Sequence, residues 1–466
     1  MMCKKTMFAV LLVAGIVSCG KDYATRIGES ESAFYGGEYA KAADIALARA
    51  KDGGNDRLLY LMEAGLMLHT AGDYRKSNEV LFAAADLAEE LKISLTKQTA
   101  SLLLNEQSTN YRGENFEHVL IHMYLGLNFF MLDDFESARV EFLKISRMLE
   151  DIEDRGGPEY EQNVMARYLT ALCYEAIGDT DNDFQAHEFA YIEYRKIYDL
   201  KPSLPFIQRD LVRLARKLGD DEELSRWNET FGRLDTVSHT DTGELVLIHQ
   251  AGRGASKVSR GKLLNDSGMK TTIVISLNSM SLQEGVTVAA ILVALQNIEH
   301  PIPDYKKPDN RIDHIRVRLA DTSQTVYTTM LENIVSTAEL SAEKTYEVTR
   351  KKVAAGIAVK AVATYASAVA AEKIAENTQL KDASKLIGFL TGAAVGTTLA
   401  SQIRPDLRCW HTLPANLQIA RLPLPAGTYE VLIDHVDKNG SVYRTEKESF
   451  TIKKGERTVM NYRTLR

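Results

Sequence analysis

The stretch Arg57–Glu89, RLLYLMEAGLMLHTAGDYRKSNEVLFAAADLAE, decides how the front half of the chain is read. It is apolar almost throughout to Thr70, is interrupted by Gly72-Asp73-Tyr74, and resumes as an alanine-bearing segment with polar residues at helical spacing. Apolar residues every three or four positions predict helices, and a Gly-Asp pair at the break predicts a stop followed by a start. Two helices joined by so short a turn must run antiparallel. Gly65 lies where the two backbones approach, with Leu68 three positions on. The pattern recurs around Gly126 and Phe129, with a turn at Asp133-Asp134-Phe135, and around Ala171 and Tyr174, with a turn at Gly178-Asp179. Gly36-Gly37-Glu38-Tyr39 opens the first copy. Tyr39, Tyr74 and Phe135 are expected to pack the repeats together.

Gly37 and Gly72 are about 35 positions apart, close to the 34-residue period of tetratricopeptide (TPR) repeats, while the later spacings of about 61 and 45 are irregular. The segments resemble TPR helical hairpins. Such hairpins stack because none buries its apolar face alone, and the stack offers a concave surface to an extended peptide or a partner helix. Residues 19–235 are therefore read as a TPR-like α-superhelix that binds a protein partner, closed by a last helical pair after Pro202 and Pro205. Deleting 23–235 is expected to abolish partner capture without unfolding the rest.

The amino end carries its own signal. Lys4 and Lys5 precede an apolar run of about eleven residues, too short for the ~20 a membrane-spanning helix needs, and the run ends Ile16-Val17-Ser18-Cys19-Gly20. This looks like a bacterial lipobox: a signal peptide over 1–18 and a Cys19 that is acylated and becomes the mature amino terminus. Gly20 follows, without the aspartate that retains lipoproteins in the inner membrane, so outer-membrane sorting is expected, periplasm-facing or surface-exposed.

The formal charge of −7 falls to about −9 once Lys4 and Lys5 leave, which opposes nucleic-acid binding. The composition, 45 % hydrophobic and 26 % charged, is that of a globular chain with sizeable cores. Cys173 and Cys409 remain after processing and read as buried thiols, and no Cys-x-x-Cys is present.

From about 240 the period changes. Residues 236–330 read as β-rich, with strands at Glu244–His249, Thr271–Leu277 and Arg311–Leu319, while Val286–Leu295 fits a strand or a buried helix equally. Residues 331–403 return to helix as an Ala/Gly-rich hairpin turning over Lys373–Lys385. Gly388, Gly392 and Gly396 are spaced by four and so share a helix face suited to close helix packing. Residues 404–466 read as strands at Asn416–Leu422, Thr428–Asp434, Ser441–Lys447, Glu448–Ile452 and Thr458–Tyr462, with Asn439-Gly440 in a hairpin turn. The fold class is thus multidomain α with mixed α/β: a helical array, then an α+β region holding an antiparallel β-sandwich and the helical hairpin.

The stretch Arg404–Val431, RPDLRCWHTLPANLQIARLPLPAGTYEV, is similar to the Asp-x-Arg-x-Trp-x-x-Leu-Pro signature of an uncharacterised family of bacterial lipoproteins with amino-terminal TPR repeats. Asp406, Arg408, Trp410, Leu413 and Pro414 match it, and Leu422–Gly427 matches the Leu-Pro-Leu-Pro-x-Gly that follows. The resemblance carries no activity. It implies a place in envelope or cell-wall assembly, since family members are often encoded near a lipoprotein activator of penicillin-binding proteins.

Candidate chemistry is sparse. His118 and His122 lie four apart but lack a zincin's glutamate and a third ligand, so no metal is expected. Gly252-Arg253-Gly254 with Lys257 and Arg260 could cradle an anion. Arg408, Trp410 and His411 could line a binding site, although Trp410 is read as packing between the helical arm and the sandwich, with Asp406 and Arg408 bonded locally. No cofactor is expected. The reading is a membrane-anchored, non-catalytic interaction scaffold. The alternatives are an envelope enzyme acting on glycan, whose Arg253–Lys262 and Arg408–Trp410 segments would have to share one cleft, and an oligomeric assembly or export component using the glycine-spaced hairpin.

Overall fold

The repeat turns fix the front half. The computed structural model describes residues 23–95, 109–154, 162–234, 242–282, 286–320, 324–376 and 395–465; the expected signal 1–18, Cys19, Gly388, Gly392 and residues 377–385 of the hairpin turn lie outside these. Five helical hairpins follow one another: α1 (Tyr23–Tyr35) with α2 (Tyr39–Lys51), α3 (Arg57–Thr70) with α4 (Tyr74–Leu95), α5 (Asn115–Met131) with α6 (Phe135–Asp154), α7 (Gln162–Asp181) with α8 (Phe184–Leu200), and α9 (Ile207–Leu218) with α10 (Asp221–Phe231). Each turn places one residue at positive φ: Gly37, Gly72, Asp133, Asn182 and Gly219. The next amide reaches back five residues, as in Glu38 N–H to Ala33 O, Asp73 to Leu68, Asp134 to Phe129, Asp183 to Gly178 and Asp220 to Ala215. This is a helix stop that satisfies a terminal carbonyl, and Asp and Asn reach the left-handed region at modest cost.

The fourth turn is a correction. It falls at Asn182-Asp183-Phe184, not at Gly178-Asp179, because Gly178 is inside α7 where the His187 ring lies against it and leaves no room for a Cβ. Gly65 likewise takes Leu81 and Gly126 takes Phe142. The aromatic residue after three of the turns meets a ring five residues earlier: Tyr39 on Phe34, Tyr74 on His69 and Phe135 on Phe130, with centroids 5.4, 5.5 and 5.4 Å apart.

The rest of the chain builds two four-stranded sheets. The first has the order β10 (Arg457–Arg463), β1 (Thr242–Ala251), β7 (Asn416–Pro425), β6 (Thr329–Glu332). The second has the order β5 (Thr325–Tyr327), β4 (Ile312–Leu319), β8 (Gly427–Asp437), β9 (Val442–Ile452), and β2 (Ser256–Val258) pairs with β3 (Asp304–Lys306) apart from both. The expected sandwich is present, yet its first sheet is mixed, since β1 pairs parallel with β10. The two carboxy-terminal strands expected at Ser441–Lys447 and Glu448–Ile452 are one continuous strand along β8.

Two further elements differ from expectation. Thr271–Leu277 is not a strand but lies in helix α11 (Ser267–Asn278). The Asp266 carboxylate caps it by accepting from Met269 N–H at 2.8 Å, and Met269, Ile273 and Leu277 form a buried stripe at four-residue spacing. Cap and period outweigh the β propensity of Thr-Ile-Val-Ile. The ambiguous Val286–Leu295 contains helix α12 (Val288–Leu295), capped by Thr287. Helix α13 (Ile334–Glu376) runs for 43 residues, and a short helix α14 (395–402) follows.

The first sheet is buried on both faces. Leu245 and Leu247 of β1 point into the sandwich core with Ile315, Val431 and Ile433. Val246 and Ile248 point the other way, into a core shared with the first helices of the array. The near-continuous apolar run of β1 is what a doubly covered strand requires. The architecture is therefore helical array, sheet, sheet, with α11–α14 forming a separate small helical core.

Candidate functional site

The inner face of the array is not open. The first helices α3, α5, α7 and α9 face the chain's own sheet, and α1 meets the signature segment, where Tyr35 donates to the His411 carbonyl at 2.9 Å. Helix α3 buries twelve of its fourteen residues and α5 twelve of its seventeen. His69 of α3 donates from Nδ1 to Asn128 Oδ1 at 2.6 Å, while Gln250 of β1 and Asn461 of β10 donate to its Nε2 at 2.7 and 3.0 Å. Burial lowers the His69 pKa to about 4, so the imidazole is neutral. Farther along, Arg421 of β7 binds Asp210 of α9 at 2.7 Å and Glu244 of β1 at 2.8 Å, and donates to Tyr168 Oη of α7. Arg457 of β10 binds Glu175 and Asp179 of α7 at 2.8 and 2.9 Å. Arg213 binds Glu175 at 2.7 Å, so buried acids and arginines of both regions interlock. The expected groove for a peptide is thus filled in cis, and the array shares its core with the sheet. The expectation that 23–235 can be removed without unfolding the remainder is corrected on this ground.

The signature segment passes between array and sheet. Asp406 holds Arg408 through Nε and Nη2 at 2.9 and 2.7 Å, the local bond expected. Arg408 also reaches Asp56 beside α3 at 2.9 Å and the Thr109 carbonyl at 3.1 Å. Trp410 packs against Tyr124 of α5, 5.9 Å between centroids, and its backbone N–H donates to Glu117 at 3.0 Å. Trp410, expected between the arm of the helical hairpin and the sandwich, therefore packs on the repeat array. Glu63 of α3 accepts from the His411 and Thr412 amides at 2.7 and 3.2 Å and from the Thr412 hydroxyl. Burial pushes the Glu63 carboxyl up to about 7, against the pull of His411 and Thr412. Leu413 O accepts from Gly254 N–H at 2.7 Å, where a Cβ would lie 3.0 Å from that oxygen. Pro414 is buried behind it.

The candidate ligand loop divides. Arg253 stacks over Tyr35 at 3.7 Å and donates to Leu465 O, and Arg260 lies over Tyr346 and binds Pro303 O and Asp304. Lys257 is buried and paired with Glu114; burial opposes its charge, yet Glu114 and Tyr305 keep its pKa well above the lysine range. Lys257, Glu114, Tyr305, Tyr346, Arg404 and Asp406 line one cleft of about 240 Å³. Of the two segments only Lys257 of Arg253–Lys262 lines this cleft; Arg408 and Trp410 are engaged elsewhere in packing, so the two segments do not share one cleft, as the enzyme alternative required.

His118 and His122 have separate partners, the Arg112 carbonyl at 2.6 Å and Glu141 at 2.7 Å. Cys173 and Cys409 are both buried and unpaired, one in the array core and one in the signature segment. Gly396 faces the Ala294 carbonyl of α12, at 3.4 Å from the position of a Cβ.

Sequence reasoning missed the acids that receive the signature: Asp56, Glu63 and Glu117. A signal existed, since Glu63 and Glu117 are the lone acids in otherwise apolar helices, and a buried acid requires donors from elsewhere.

No family model and no curated protein matches the sequence. Among solved structures, the chain is similar to nearly identical TPR-like repeats from Podosopora anserina, at 11 % identity and a TM-score of 0.30, over 44 % of this chain and 90 % of that one. A single-substitution variant of the same protein matches at 12 % identity and a TM-score of 0.29, over 44 % and 91 %.

Proposed function

We propose that the protein is a non-catalytic docking scaffold of the bacterial cell envelope, tethered by an acylated Cys19, with a partner protein held on the outward helices of the array. One observation carries the docking part: the concave face is closed by the chain's own sheet, while the second helices leave Phe82, Val140, Phe189 and Ile192 exposed. Phe189 meets Tyr174 at 5.3 Å, so the exposed ring is held in place rather than loose. Aromatic side chains pre-positioned on a surface suit a protein interface, where rings dominate binding energy. The lipobox supports the tether, and the signature at 404–414, fixed to the array by Glu63, Asp56 and Glu117, supports a role that depends on rigid display.

A photo-crosslinking amino acid placed at Phe189 or Ile192 tests this in intact cells. The expected result is a discrete adduct with one partner, lost when Phe189 is also Asp in the neighbouring-site version. Adducts absent from both positions, or unchanged by Phe189→Asp, contradict it.

A further inference from the structure

We infer that α11, α12, residues 353–370 of α13 and α14 form a surface that lies against a lipid bilayer. This contact does not depend on Cys19. Charge is the first observation. Lys360 is the only charged residue between Val353 and Ala370; α12 has none, α11 has none after Lys270, and 395–403 has none. In a chain with 26 % charged residues, such a concentration of uncharged helices marks a nonaqueous neighbour.

Exposure is the second. Ile275 of α11 and Val293 of α12 are each 64 % exposed, and Val359 of α13 is 58 % exposed. The Ile334–Ala370 stretch is long and apolar enough to cross a membrane by length and composition, yet only 28 % of its most apolar part is buried. The inner stripes of the same helices (Ile273, Ile291, Ile357, Leu399) already build a core of their own. The outer branched side chains are therefore surplus to folding.

The hydroxyls supply the third. Thr272 bonds the Gly268 carbonyl, Ser276 that of Thr272, Thr364 that of Lys360 and Ser367 that of Ala363, at 2.8 to 2.9 Å. Each hydroxyl proton is satisfied within its own helix, as a polar group facing hydrocarbon must be.

The fourth is the boundary. Exposed Lys270, Lys351, Lys352 and Arg404 stand where the uncharged runs begin or end. Gly268 at the start of α11 lies against the Arg350 guanidinium of α13, so the uncharged runs of these two helices begin near one another. A cationic collar below an apolar surface matches anionic headgroups above hydrocarbon. The exposed polar side chains within the patch, among them Thr271, Thr397, Thr398 and Ser401, are short and uncharged, so Lys360 is the one ionic group it offers a protein partner.

The test uses the full mature chain with Cys19→Ala, so that no acyl chain contributes, and flotation with vesicles of phosphatidylethanolamine and phosphatidylglycerol. The unacylated chain is expected to float with the vesicles. The triple variant Ile275→Glu, Val293→Glu, Val359→Glu should partition about tenfold less or weaker still, since each charge must be dragged from water, with an unchanged circular dichroism spectrum. A Val293→Cys chain carrying an environment-sensitive dye should shift to the blue on vesicle addition, which keeps the test open if the triple variant misfolds. An unacylated chain that stays behind, equal flotation of the triple variant, or an unshifted dye overturns the inference. So does a vesicle-free dimer that the triple variant converts to monomer, because the patch would then be a self-association face. Loss of acylation in cells would sink the tether and leave this result standing.

Discussion

His69 shows how one side chain ties the two halves of the molecule. Its Nδ1–H donates to Asn128 and its Nε2 accepts from Gln250 and Asn461. A second proton on Nε2 would confront two amide donors, and burial holds the pKa down at about 4. The unfolded chain, with an ordinary histidine near 6.5, binds more protons than the folded one between those values, so stability falls as pH drops through that window. A fall from 6.5 to about 4 corresponds to about 3 kcal/mol. His249 is lowered too, by the same burial, and adds in the same direction. Glu63, raised to about 7, works the other way over the same range, so the His69 share is read as a difference: His69→Gln should lower the denaturant midpoint at pH 7, and its midpoint should fall less, or rise more, from pH 7 to pH 4 than that of the wild type. An unchanged slope would remove His69 as the acid-sensitive joint. The same residue illustrates what sequence hides: its three partners lie 59, 181 and 392 residues away.

Elements were legible where local chemistry decides them. The Gly-Asp-Tyr and Asp-Asp-Phe turns announce their helices because the left-handed residue and the next amide are set within six residues. The fourth turn misled because Gly178 is a glycine for a different reason, the His187 ring against it. Helix α11 misled because four β-branched and apolar residues in a row outweigh an aspartate cap on paper, whereas α13 supplies the packed face in the fold. Strand β7 shows the energetic side. Arg421 is enclosed by Asp210, Glu244 and Tyr168 and lies 6 % exposed. Arg421→Met takes the bidentate cation from Glu244 and one of two cations from Asp210, leaving Arg457 at 3.7 Å and Arg213 at 3.1 Å to hold them, and breaking such a buried pair costs up to about 3–5 kcal/mol. Thermal or denaturant unfolding should register that loss, and Arg421→Met combined with Glu244→Gln should recover part of it. A single variant within about 0.5 kcal/mol of wild type, the range of ordinary surface changes, would show that the network does not bind array to sheet.

At the scale of the whole molecule, the array and the sandwich are two layers around one strand set, because β1 and β7 bury side chains on both faces. Sequence patterns locate helices and strands but not the order in which layers stack, so the open groove expected from helical repeats gives way to a filled one. On the proposed reading the array is a platform rather than a receptor, with the outward rings and the uncharged helical surface as its contact faces. The two tryptophans test that unity directly, since Trp227 is in α10 at the end of the array and Trp410 is at the junction with the sheet. With both indoles replaced by 5-fluorotryptophan, fluorine NMR through a urea titration follows each in the same sample. The account predicts that the two native resonances disappear together at one midpoint, as a single cooperative unit requires. Trp227 melting at a clearly lower urea concentration while Trp410 stays native would mean that the helical array folds and opens on its own, and would contradict it.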